Sequence, residues 1–208
     1  LPDYAPRHGL PSRAVTFVDM LFPMIGPSYA EIEKEFEESL GYIRNDITAL
    51  CHQRETVNYT VGLLVACGCE VIARGMGGRT KGCQILAELL PDANWRALAK
   101  PLFEALRNGL AHKFDTKHLL VDGQSVQIYF DWHREAVVEI APVLGGLGLF
   151  IGTRRLGGLL CERIYAFQRD LMADPAVRVR FKQAYEREGE TRFSAKESTA
   201  WRRLAEMK

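Results

Sequence analysis

Within the stretch Pro101-Leu-Phe-Glu-Ala-Leu-Arg-Asn-Gly-Leu-Ala-His-Lys-Phe114, three side chains have types and spacing suited to chemistry: Arg107, Asn108 and His112. An imidazole exchanges a proton near neutral pH, a guanidinium holds a phosphate through a fork of N–H donors, and an amide orients either one. Whether they act together depends on the element that carries them. Leu98, Leu102, Leu106, Leu110 and Phe114 recur every four residues, with Phe103 beside them, so a helix gathers them into one apolar stripe that faces a core. With Leu106 at zero and about 100° per residue, Arg107 falls near 100°, Glu104 near 160°, Asn108 near 200° and His112 near 240°. Asn108 and His112 stack at a separation of four residues, and Arg107 lies to one side on a long stem. Arg107 and His112 are therefore expected to face solvent.

As written, Arg107-Asn-Gly-Leu-Ala-His112 is an Arg followed by Asn and, after four intervening residues, a His near the end of a helix. It resembles the motif of the HEPN superfamily, in which an Arg-x4–6-His pattern, often opening Arg-Asn, lies on one helix of a bundle. The resemblance covers this helix and the helical order around it, about half of the chain. It implies a metal-independent endoribonuclease whose site is completed by a second copy across a homodimer, with toxins and antiviral effectors among its members. On that basis His112 would do acid/base work, Arg107 would hold the scissile phosphate, and Asn108 would orient one of them. RNA is then the substrate, an antitoxin protein is a further partner, and no cofactor or metal is involved. The small Gly109 and Ala111 would let two motif helices approach closely. Two other accounts fit the same residues. Cations near a helix C-terminus are favoured by the macrodipole while Asn is simply solvated, and a helical module of this kind can bind RNA, a nucleotide or a protein without cutting anything.

Composition sets the frame around that helix. The chain has 208 residues, 47% hydrophobic and 25% charged, enough to bury a core as one domain. With a net charge of +1 the molecule as a whole is not an electrostatic clamp for nucleic acid, so any RNA contact has to be local, although 19 of its 27 cations are Arg. Five Cys without framework spacing fit a reduced, cytoplasmic setting. Cys67 and Cys69, two apart on a helix, point away from each other and cannot chelate zinc as a pair.

Taken in order, residues 1–27 read as an irregular, Pro-rich arm. Ser28 and Glu31 form a capping box that opens a helix to about Cys51, whose core face is Ile32, Phe36, Leu40, Ile43, Ile47 and Leu50. A nearly apolar stretch from Glu55 to about Arg74 is too short and, with Asn58, Thr60 and Glu70, too polar for a membrane span, so it becomes the central buried helix. Glu70 inside it needs a partner, and either Arg107 or a structural Arg would serve. Gly75-Met-Gly-Gly-Arg-Thr-Lys-Gly82 is not a Walker loop, because it joins two helices and places Thr80 before Lys81. It reads as a connector whose Arg79 and Lys81 are suited to RNA-backbone contacts. A short helix from Cys83 to Leu90 follows, and Asp92 or Asn94 caps the motif helix.

After Asp115 the period changes from 3.6 to 2. His118 to Asp131 reads as a hairpin about Asp122-Gly123, with Val126, Ile128 and Phe130 on one face, and Val137 to Ile140 adds a third strand. His118 and His133 are expected at the surface. Val143 to Gly152 reads as a hydrophobic turn, Thr153 to Met172 as a second long helix, and Asp174-Pro175 as the start of a basic helix through Tyr185. A weak helix over Ser194 to Lys208 closes the chain. The expected fold is mainly α: an up-and-down bundle of four to five helices in a single domain, with a β-hairpin or three-stranded antiparallel insertion over 118–141 and a tail over 189–208.

Overall fold

The computed structural model describes residues 26–53, 57–77, 80–109, 119–121, 123–144 and 146–188. Most of the arm expected at 1–27, the helix expected at 194–208, Arg79, His118 and the motif residues from Leu110 through Phe114 lie outside them. Within them the protein is mainly helical with a small mixed sheet.

The first helical run comprises α1 (Tyr29–Phe36), a π turn (Glu37–Gly41) and α2 (Tyr42–Cys51). Its start follows from the capping box: the Glu31 carboxylate accepts from the Ser28 N–H at 2.6 Å and from the Ser28 hydroxyl at 2.7 Å. Those hydrogen bonds hold the exposed Glu31 carboxyl below its ordinary pKa. Ile32, Phe36, Leu40 and Ile47 are fully buried, as the pattern requires, while Ile43 and Leu50 are half-buried.

Helix α3 (Asn58–Gly75) is the central element and packs against α2, α4, α7 and α8. Here α4 is Gly82–Leu89, α7 is Thr153–Ala173 and α8 is Pro175–Glu188. Two glycines allow α3 and α7 to approach. A Cβ on Gly68 would lie 2.6 Å from Leu160, and one on Gly157 would lie 2.9 Å from Val61. Leu156, Leu160, Ile164, Phe167 and Leu171 of α7 complete the core. Asp174 caps α8 by accepting from the Ala176 N–H at 2.7 Å, with Pro175 at the first helical position. The Arg178 guanidinium donates to the Leu171 and Met172 carbonyls at the end of α7.

Four strands lie between the motif region and α7: β1 (Leu119–Val121), β2 (Gln124–Asp131), β3 (Val138–Val143) and β4 (Gly146–Gly152), in the order β1-β2-β4-β3. The expected hairpin is present, with Val121 opposite Gln124 and Gly123 at φ +79°, a left-handed conformation that glycine adopts without strain. Two expectations need correction. The sheet is mixed, not wholly antiparallel, because β2 and β4 run parallel with Ile128 opposite Leu149. The glycine-rich segment read as a turn is strand β4, and the sheet extends to Gly152, beyond the 118–141 insertion. Its glycines hid a strand because they serve packing: Tyr129 and Val143 occupy the space where a Cβ on Gly148 would sit, while Leu149 and Ile151 on the other face are buried. Asn58 joins the sheet to the helices. Its amide donates to the Phe130 carbonyl at 3.1 Å and accepts from the buried Thr153 hydroxyl at 2.5 Å.

Candidate functional site

The motif segment is not one uniform helix. Asp92 caps α5 (Ala93–Ala97) by accepting from the Asn94 and Trp95 N–H groups at 2.9 and 3.2 Å. The helix then breaks at Leu98 (φ −91°, ψ 1°), and α6 (Ala99–Glu104) begins. Pro101 accounts for the break, since it has no N–H to bond the Ala97 carbonyl. Leu98 consequently leaves the apolar stripe and is 38% exposed, whereas Leu102, Phe103 and Leu106 remain buried as expected.

From Ala105 to Gly109 the backbone forms a π turn, and Arg107 and Asn108 lie in it. Such turns hydrogen-bond from residue i to i+5, so the angular spacing expected for a regular α-helix does not carry past Glu104. Arg107 nonetheless faces solvent, with 55% of its side chain exposed. Asn108 is half-buried. His112 and Ala111 lie outside the described residues.

Glu70 is the partner of Arg107. Its Oε1 lies 3.1 Å from Arg107 Nε, and its Oε2 lies 3.7 Å from Arg74, one turn on in α3. The carboxylate is 23% exposed, so it is sheltered yet reached by water. It thereby meets the motif Arg expected from the sequence and also Arg74 of its own helix, which the sequence reading did not name. Gly82 makes room for this arrangement: a Cβ there would lie 2.5 Å from the Phe103 ring and 3.1 Å from Glu70 Cγ. Helix α4 can therefore begin directly against the pair.

A pocket of about 370 Å³ opens beside them. Arg74, Lys81, Lys100 and Arg107 line it against two carboxylates, Glu70 and Glu104, so its local charge is +2; Phe103 supplies an apolar wall and Asn108 is at the edge. This concentrates positive charge in a chain whose total is only +1. Lys81 was singled out from the sequence and lines this pocket, whereas Lys100 and Arg74 were not singled out. Arg74 carries a signal in its i, i+4 relation to Glu70, but nothing local to Lys100 gives it away, because its place depends on how α6 packs against α4.

Cysteine chemistry is disfavoured here. Burial and the Glu70 carboxylate push the Cys67 thiol up, against the opposing pull of Arg107 and Arg74, which makes it a weak nucleophile at neutral pH. Cys67 is exposed and Cys69 buried on opposite sides of α3, in line with the expected divergence. Burial raises the Cys69 thiol strongly. Among the described residues, no group of three or more His, Cys, Asp and Glu is placed to hold a metal ion, and no helix is long and apolar enough to cross a membrane. His133 is exposed, as expected.

Comparison with protein-family models, with curated proteins and with solved structures finds no match.

Proposed function

We propose that the protein is a HEPN-like, metal-independent endoribonuclease, a toxin or defence effector that acts as a homodimer of helical bundles through the motif helix. RNA supplies its own nucleophile. In this chemistry one His112 imidazole takes the proton from the 2′-OH, the oxygen attacks phosphorus, and the bond to the 5′-oxygen breaks. A second imidazole, from the partner copy, protonates the leaving oxygen. Arg107 neutralises charge on the phosphorane, and Asn108 orients the imidazole or the phosphate.

One observation carries this reading: Arg107 is anchored by Glu70 on one edge and open to solvent on the other, at the border of a cation-lined pocket. Its test is single-stranded RNA incubated with the full chain and with its His112→Ala variant. Cleavage by the first that is lost in the second is expected, and equal activity in the two would sink the proposal. A second reading, a module that binds RNA, a nucleotide or a protein partner without cutting, is favoured by the same ion pair, since a guanidinium held by a carboxylate has less charge to offer a phosphate. Sedimentation separates assembly from chemistry. A dimer at tens of micromolar is expected, and a monomer there would remove the composite site.

A further inference from the structure

Lys81 and Lys100 have no part in the reaction just described, yet α4 and α6 bring them to the same pocket as Arg107. Lys81 precedes the first residue of α4, and its backbone N–H is already occupied by Gln84 Oε1 at 2.7 Å. Both lysines are exposed, and both line the cavity that the Glu70–Arg107 pair also lines. Their positions are not required by folding. An exposed lysine costs nothing to point elsewhere, whereas two cations converging on a cavity that already holds Arg74 and Arg107 repel one another unless an anion joins them. Glu70 is engaged by two arginines, which leaves Glu104 as the other carboxylate in the lining.

We infer that this pocket is a subsite for the sugar-phosphate backbone of single-stranded RNA, with Lys81 and Lys100 contacting a phosphodiester next to the one at Arg107. The inference rests on the ribonuclease reading for the position of the reacting phosphate. The volume of about 370 Å³ lies at the small end of ordinary ligand sites, suited to a nucleotide-sized unit of a strand. Lysine holds phosphate as a point charge, without the planar fork that reads base edges, so the subsite positions the strand and carries no sequence preference.

The test uses the full chain and a fluorescent RNA oligonucleotide with 2′-O-methyl sugars, which lacks the nucleophile and so separates binding from cutting. Affinity is measured over a range of KCl concentrations for the unsubstituted chain, Lys81→Ala, Lys100→Ala and the double variant. Each substitution should lower the slope of log affinity against log salt by about 0.7, the value for one phosphate contact on a single strand. The loss should be the same for unrelated sequences, and Lys→Arg at either position should restore it. Lys34→Ala, which removes a cation of α1 that is 81% exposed and paired with Glu38, should leave the slope unchanged. An unchanged slope in the double variant, or an equal loss in Lys34→Ala, overturns the subsite. So does competition in which a mononucleotide displaces the oligonucleotide as well as an unlabelled strand does, since the ligand would then be free nucleotide. Loss of slope in a protein that cuts no RNA preserves the subsite and removes the ribonuclease. Cleavage without the slope change does the reverse.

Discussion

Two arginines, Arg107 in the π turn and Arg134 beside the sheet, are both held by carboxylates, and they differ in how much of each guanidinium is left open to a further partner. Arg134 lies 2.7 Å from Glu139 and 3.3 Å from Asp131, and its guanidinium stacks over the Phe150 ring at 4.1 Å. Two acids and an aromatic face hold it, and the Glu139 and Asp131 pairs keep its pKa above the ordinary value. Among the described residues Arg107 has one ion pair, through Nε, and its side chain is 55% exposed against 25% for Arg134. A guanidinium carries five N–H donors, so a single carboxylate leaves Arg107 with donors for an anion, whereas Arg134 spends its Nε–H and one terminal N–H on joining β2 and β3 and lies flat on a ring.

That contrast can be broken first at the level of rate. Arg107→Ala should slow RNA cleavage by about 10²–10³-fold, and His112→Ala by about 10²–10⁴-fold. Thermal melting of Arg107→Ala should stay close to that of the unsubstituted chain. Arg134→Ala should do the opposite, lowering the melting temperature with little change in rate. A rate loss in Arg134→Ala equal to that of Arg107→Ala would erase the distinction.

The support beneath the site should show up in stability. Leu106, within the π turn, is 1% exposed, and Leu106→Ala should cost about 2–5 kcal/mol in denaturant unfolding. Gly82→Ala forces a methyl against the Phe103 ring and Glu70, and overpacking of this kind costs about 1–3 kcal/mol. It should also weaken RNA binding, because the wall of the pocket has to move. The smallest effect belongs to Glu70→Gln, which keeps the shape and removes the charge. Cleavage should change by less than about tenfold, in line with the modest worth of a solvent-reached ion pair. A loss as large as that of Arg107→Ala would make Glu70 part of the chemistry rather than an anchor.

How far the sequence reached depends on whether a residue's neighbours are local. Helix α3 with its buried Val61, Val65 and Ile72, the Ser28–Glu31 capping box, the Asp92 cap and the β1–β2 hairpin with Gly123 in its turn all follow from period, cap and turn chemistry over a few residues. The Leu98 break was missed because a repeat of Leu every four residues hides the missing N–H of Pro101, and the π turn was missed because that repeat runs on through it unchanged. Strand β4 was missed because its glycines are turn signals on their own and become strand residues only when Tyr129 packs over Gly148. At the site, Arg107 and Asn108 were legible from type and spacing, and Glu70 from being a carboxylate in an apolar helix. Lys100 joins them only through the packing of α6 on α4.

The most direct measurement is the chemistry of the ends. Purified full chain is incubated with single-stranded RNA in excess EDTA, and the products are resolved by mass spectrometry. Attack by the 2′-OH, with Arg107 and His112 in the roles described, leaves 2′,3′-cyclic phosphate on one fragment and 5′-OH on the other, with the rate unaffected by the chelator. Cutting that stops when EDTA is added, or products that carry 5′-phosphate and 3′-OH, would contradict it.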